Sequence, residues 1–276
     1  MSKKYGLFML MLLLSVVLVA CGSDEESSSS SDDNVLKVGL EAGYAPFNWT
    51  QSDDSNGAVA IEGSKEFAGG YDVEIAKKVA DKLGKELVIV KTEWDGLVPA
   101  LQSNVIDVII AGMSPTEERK EAIDFSDTYY VSDFVIVTKA GSEYANAKTL
   151  ADFEGAKITA QLNTSNYDVI DQIPNVDKQT AMDNFPAMRV AIESGVIDGY
   201  VAERPEAISA AAANENFAYV ELEDGFDVEE SQISVAIGVR KGDENLAAMN
   251  EALAEISEED RQTLMEQAIA NQPAAQ

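Results

Sequence analysis

The side chains able to do chemistry are few, and their types narrow what that chemistry can be. The 276-residue sequence has no histidine and a single cysteine, Cys21. Without histidine, Ser-His-Asp and Cys-His nucleophilic catalysis and the His-based zinc motifs are excluded together. No Asp-rich loop has EF-hand spacing, so no metal and no cofactor is expected. What the chain offers is charge in ordered places. Ala111-Gly112-Met113-Ser114-Pro115-Thr116-Glu117-Glu118-Arg119 follows an apolar run, and the planar fork of Arg119 can give a carboxylate two parallel hydrogen bonds. Gln161-Leu162-Asn163-Thr164-Ser165 reads as a strand end opening into a helix. Free N–H groups and the positive dipole end there bind anions without a basic side chain. Glu203 stands at another strand end. Glu41, Tyr44 and Trp94 add a carboxylate and two aromatic faces, which suit a guanidinium or ammonium tail. Each has an ordinary alternative. Arg119 could pair with Glu117 or Asp124 on a solvated helix, Thr164 could simply cap a helix, Glu203 could bridge Arg204, Glu41 could lie exposed, and the aromatics could belong to the core.

The elements that must hold these residues alternate. Val35–Leu40 is a short strand, and Tyr71–Leu83 carries Val73, Ile75, Ala76, Val79, Ala80 and Leu83 at helical spacing with Gly84 as its stop. Strands are expected at 86–90, 105–111 and 134–138, with a helix at 96–102 between the first two. A composition break at Lys139-Ala140-Gly141-Ser142 precedes a second round. That round has strands at 157–161, 197–202 and 217–222, with helices at 165–172, 184–193 and 205–214. A last strand at 233–239 leads into two amphipathic helices near 245–256 and 259–270. This is an α/β pattern with largely parallel sheets. It predicts two lobes joined by two crossovers, 35–139 and 232–276 forming the first and 140–231 the second. The polar stretch 57–66 reads as a surface hairpin or a lid.

Ahead of the body, Lys3 and Lys4, the 14-residue apolar run Leu7–Ala20 and a small-residue cleavage site form an export signal over 1–20. The run is short of the ~20 residues a membrane span needs. Leu18-Val19-Ala20-Cys21 resembles the bacterial lipobox, which implies a lipid (palmitate among its acyl chains) on Cys21. Residues 22–34, rich in serine and acid, read as a flexible spacer. Removing the signal leaves 18 basic against 49 acidic residues, a formal charge of −31. Such a surface repels nucleic acid and anionic lipid, so the membrane is met through the lipid alone.

Gly70-Tyr71-Asp72-Val73-Glu74-Ile75, with Val79-Ala80 and Leu83, resembles the signature of family 3 extracellular solute-binding proteins, and similar pieces run from Val38 to the C-terminal helices. The resemblance implies a two-lobed periplasmic-binding-protein type II fold, with a mixed, mostly parallel sheet in each lobe and two hinge crossovers. It implies a monomeric amino-acid receptor on the outer face of the cell membrane, working with an ABC permease and ATPase and performing no catalysis. The implied binding residues are Glu41, Tyr44, Trp94, Gly112, Met113, Ser114, Arg119, Thr164, Ser165 and Glu203. Arg119 would clamp the ligand α-carboxylate, Ser114 would touch both backbone groups, and the Thr164-Ser165 turn would add a second grip. Glu203 would meet the α-ammonium, where relatives commonly carry the shorter Asp. Tyr44 and Trp94 would sandwich the side chain, and Glu41 stands where relatives selecting basic amino acids place an acid. Many relatives have glycine at Asn163. Arginine or lysine is the expected ligand, with glutamine next. The same fold also implies two alternatives: a prephenate-type dehydratase with Glu203 as general acid, or a ligand-sensing subunit of a membrane signalling system.

Overall fold

In the computed structural model, which describes residues 34–273, the alternating apolar runs build two five-stranded sheets of the same design. The first orders its strands Glu86–Lys91, Val35–Leu40, Val108–Ile109, Ser234–Val239, Asp124–Val131. The second orders them Asp177–Lys178, Lys157–Thr159, Gly199–Glu203, Phe134–Lys139, Phe217–Val220. In each sheet the fourth strand runs antiparallel to both its neighbours, while the first three are parallel. That antiparallel strand is the one the chain enters after crossing from the other lobe. The expected export signal, Cys21 and most of the spacer lie outside the described residues.

The sheet pairing moves one lobe boundary. Phe134–Lys139, counted with the first lobe in the sequence reading of 35–139, is an interior strand of the second sheet, bonded to Gly199–Glu203 and Phe217–Val220. The break at 140–142 ends that strand; the first crossover is the polar pair Ser132-Asp133. The second crossover runs from Glu221 and includes a short helix, Glu230–Ile233, before the return strand. Three local expectations also shift. Only Val108–Ile109 of the 105–111 run is paired, the 165–172 helix is one α turn (Ser165–Asp168) followed by a 3-10 turn, and Asp124–Val131 is an eight-residue strand not foreseen.

The Tyr71–Leu83 helix forms as its spacing predicts. Val73, Ile75, Ala76, Val79 and Ala80 are buried, and Gly84 closes it in the left-handed region at φ 64°, its N–H bonding Ala80 and Asp81 carbonyls. It packs against the C-terminal helices Leu246–Ala254 and Glu258–Asn271. The 57–66 stretch is a hairpin: Val59–Ala60 pairs with Phe67–Gly69, and Ile61 bridges to Ile89. None of its residues lines the cleft described below. One apolar core fills the first lobe and continues into the second through Phe185, Met188 and Tyr200, and a smaller one around Phe153, Ile158 and Val201 lies within the second lobe.

The two lobes repeat a device that aims strand ends at each other. Ser103-Asn104-Val105-Ile106-Asp107 and Ser194-Gly195-Val196-Ile197-Asp198 each follow a helix and turn through a left-handed residue, Asn104 (φ 60°) or Gly195 (φ 72°). Each aspartate then locks its strand to the parallel neighbour, Val35–Leu40 or Lys157–Thr159, by a two-way bond. Lys37 N–H donates to Asp107 at 2.9 Å and Lys157 N–H to Asp198 at 2.8 Å. The aspartate N–H returns to the lysine carbonyl at 2.8 Å in both. Ala111-Gly112 and Ala202-Glu203 therefore emerge at equivalent edges of their sheets.

Candidate functional site

The two edges meet in a narrow cleft between the lobes. From the first lobe it is lined by Tyr44, Trp94, Gly112, Ser114 and Arg119, and from the second by Gln161, Thr164, Ser165, Asn166, Phe185 and Glu203.

Arg119 sits in the helix Glu117–Ala122, whose start is fixed by the Thr116 hydroxyl accepting from Arg119 N–H at 3.3 Å. Its side chain turns back into the cleft. Nη1 donates to the Ser114 carbonyl at 2.9 Å, and Nη2 reaches across to the Asn163 carbonyl of the other lobe at 2.9 Å. The guanidinium lies 5.0 Å from the Trp94 ring centre, within cation–π range. Neither Glu117 nor Asp124 takes it; they pair with Lys120 and Lys241. Burial pulls its pKa down to about 10, and Glu118, Glu203 and Asp168 oppose that pull. It remains a cation at neutral pH.

Glu203 ends the fully buried strand Gly199–Glu203 and is itself 6% exposed. It accepts a hydrogen bond from the Tyr44 hydroxyl across the cleft. Burial raises its pKa, partly offset by Tyr44, nearby Asn166 and Arg119. The alternative bridge to Arg204 does not form. Arg204 Nε binds Asp133 at 2.7 Å and its Nη1 binds Glu221, so it ties the two crossovers and leaves Glu203 to the cleft. A cation and a carboxylate thus stand on opposite lobes around one small space.

Glu41 is buried, at 7% exposure, and meets the second lobe through Gln161, whose Nε2 donates to both its oxygens at 3.0 and 3.2 Å. Burial raises its pKa to about 7; Gln161 lowers it, and the charges of Glu93 and Asp95 raise it again. No lysine or arginine pairs with it among the described residues. The exposed alternative is therefore wrong, though Glu41 stands behind Gln161 rather than on the cleft wall.

Several expected residues sit differently. Tyr44 has both ring faces covered, stacked on Phe47 at 4.8 Å and on Phe185 at 4.5 Å, so in this state it offers an edge and a hydroxyl, not a face. Met113 is a core residue at 2% exposure whose carbonyl accepts from Ala236 N–H at 3.0 Å, and it does not line the cleft. Thr164 does not cap its helix by its side chain; the hydroxyl donates to the Gln161 carbonyl at 2.7 Å and stiffens the turn. Gly112 has φ 62°, and a Cβ there would lie 2.5 Å from Tyr44 Cε1, so glycine is what lets the tyrosine lie against the strand end. Ser114 is buried and its hydroxyl donates to the Gln232 carbonyl at 3.1 Å. Ser165 is likewise buried beside the cleft.

Three lining residues were not assigned from sequence. Gln161 lay in the quoted turn, but nothing local signals its reach to Glu41. Phe185 follows the N-cap Asn184 at the start of an amphipathic helix and reads as core. Asn166 is 4% exposed with its Nδ2 unpaired among the described residues, a donor turned to the site. Behind Gly112, buried Asp72 accepts from Asn48 Nδ2 at 2.8 Å and from Tyr129 Oη at 2.7 Å, while Tyr129 Oη accepts from Gly112 N–H at 3.2 Å. That chain fixes the strand end from within. It gives Asp72, in the helix signature, a structural reason.

Comparisons with known proteins bear on the family and the fold. The model of a family described as bacterial extracellular solute-binding proteins, family 3, matches residues 36–269. The L-cystine-binding protein TcyJ of Escherichia coli (strain K12) is 32% identical over 226 residues, 81% of this chain and 78% of that one. The "Probable histidine-binding protein" of Campylobacter jejuni is 33% identical over 184 residues, 63% of this chain and 66% of that one, so the match spans just under two thirds of its length. A crystal structure of an amino acid ABC transporter substrate-binding protein from Streptococcus pneumoniae bound to L-arginine superposes with a TM-score of 0.76 at 26% identity, covering 88% of this chain and 96% of that one.

Proposed function

The chain belongs to the bacterial extracellular solute-binding proteins, family 3, and has their two-lobed type II periplasmic-binding fold; from that premise we propose that it captures a basic L-amino acid, arginine or lysine, between its closing lobes and delivers it to an ABC permease. The observation that carries this reading is the placement of Arg119 and Glu203 on opposite lobes of one cleft. Arg119 binds the α-carboxylate with Ser114, and the Ser165 turn adds contacts as the lobes shut. Glu203 accepts the α-ammonium. Because the second lobe's groups engage the ligand only in the shut form, the ligand favours closure by its differential affinity.

Glu41 carries the preference for a basic side chain. A buried carboxylate without a cation is costly; when the Gln161 amide that now covers it swings aside, a guanidinium or ammonium tail supplies the missing charge. Glutamine, which could only hydrogen-bond there, comes second. Cys21 is the lipid attachment point, 21–34 the tether, and the protein a monomer without enzymatic activity. Calorimetric titration of the purified chain with all twenty amino acids tests the reading. Heat with arginine or lysine is expected, and silence with all twenty would end it. Cys21→Ser should release the protein from the membrane fraction into the medium or periplasm.

A further inference from the structure

We propose that Asn163 and Asp95 form a clasp across the mouth of the cleft that holds the lobes shut independently of the ligand and so sets how long the ligand stays; this rests on the reading of the cleft as the binding site. Asn163 Nδ2 donates to Asp95 Oδ1 at 2.9 Å, joining the turn after Lys157–Thr159 in the second lobe to the 3-10 turn Trp94–Gly96 in the first. Among the described residues the other side-chain bonds at the cleft run through Arg119, Glu203 with Tyr44, and Glu41 with Gln161, while Ser209 and Gln272 join the lobes away from it. The cleft groups are assigned to the ligand and must rearrange when it binds. Asp95 and Asn163 side chains are not on the cleft wall, so their bond is compatible with either condition.

Asn163 is suited to this by its backbone. At φ 58° it is left-handed, a conformation asparagine tolerates and most residues do not. The same turn directs its carbonyl to Arg119 Nη2 at 2.9 Å, and Arg119 in turn lies over Trp94, the neighbour of Asp95. One residue of the second lobe thus grips two of the first. Glycine would keep the turn and the carbonyl bond and remove only the clasp.

The test is a double-mutant cycle on the full-length chain, with Asn163→Gly, Asp95→Ala and the pair. Without ligand, hydrogen exchange of the 92–97 and 161–167 segments reports opening; with L-arginine as probe, stopped-flow tryptophan fluorescence reports release. Each single variant should open and release about three- to tenfold faster, the scale of one partly wet, charge-assisted hydrogen bond, and the pair no faster than the faster single. Asp95→Ala also withdraws charge from near Glu41, so the coupling between the two changes is the deciding quantity. Asn163→Asp keeps the left-handed turn, excludes loop flexibility as the cause, and should open further than Asn163→Gly unless Asp95 is also removed. Independent, multiplying effects of the two singles, or unchanged exchange in Asn163→Gly, would overturn the clasp. If the unaltered chain binds no L-arginine, the functional reading fails while the exchange cycle still decides the clasp.

Discussion

Ligand binding should release protons, and the source should be Glu41. The carboxyl is buried, its pKa stands at about 7, and among the described residues its one side-chain donor is the neutral amide of Gln161. A cationic side chain placed beside it stabilises the ionised form and returns its pKa toward the ordinary carboxylate range. Binding therefore expels the proton from whatever fraction carries one. For a pKa near 7 falling to about 4.5, that fraction is about one half at pH 7, about 0.9 at pH 6 and about 0.1 at pH 8. The same linkage makes arginine bind about tenfold more weakly at pH 6 than at pH 8. Titrating at pH 7 in two buffers of different ionisation enthalpy measures the proton directly, and repeating at pH 6 and 8 gives the slope. Glu41→Gln keeps the shape and the contact with Gln161 but cannot titrate, so its heat should not depend on the buffer through this site. Glu203 also titrates upward of its ordinary value, and the Gln variant separates the two, because Glu203 remains in it. Buffer-independent heat in the unaltered chain, or proton release undiminished by Glu41→Gln, would refute the assignment.

Three further outcomes follow from the same geometry. Asp72 and Glu41 have folded-state pKa values of about 6 and about 7, above their ordinary ones, so their stabilising contribution is complete below about pH 4 and is lost as pH rises through 6 to 7; the urea midpoint of the unliganded chain should rise between pH 7.5 and 5.5, and less so in Glu41→Gln. Gly112→Ala puts a Cβ 2.5 Å from the Tyr44 ring at a positive φ, so it should cost about 1–3 kcal/mol in denaturant unfolding and displace Tyr44 from Glu203, read as weakened ligand binding in calorimetry. Arg204→Ala removes the tie between Asp133 and Glu221 on the two crossovers; since those groups are largely exposed, stability should change by less than about 1 kcal/mol, while small-angle scattering should report a larger radius of gyration.

Much of this arrangement was legible in the sequence, for reasons that vary by residue. The helix at Tyr71–Leu83 was plain because five of its apolar side chains share one buried face and a glycine ends it. Arg119 and Ser114 were legible because one short segment carries both. The Ser132-Asp133 crossover was not, because two ordinary polar residues give no composition signal, whereas the Gly-Ser break a strand later does. The strand Asp124–Val131 was missed because four of its eight residues, Asp124, Ser126, Asp127 and Thr128, are polar; it pairs on one side only, at the sheet edge. Phe185 and Gln161 work across the cleft, on partners that lie 141 and 120 residues away in Tyr44 and Glu41, and no local pattern encodes such a meeting. The covered faces of Tyr44 have the same origin: the sequence shows an aromatic, and tertiary packing decides which part of it reaches a ligand.

In the proposed binding mode Arg119 reads an α-carboxylate while Glu203, on the other lobe, reads the ammonium. Comparing L-arginine with agmatine, which has the same side chain and amine but no carboxylate, tests it in one calorimetric series on the unaltered chain and Arg119→Ala. The unaltered chain should prefer arginine by about a hundredfold, the scale of truncating one partner of a shielded charge pair, and Arg119→Ala should largely erase this preference. A preference of the same size in Arg119→Ala would contradict it.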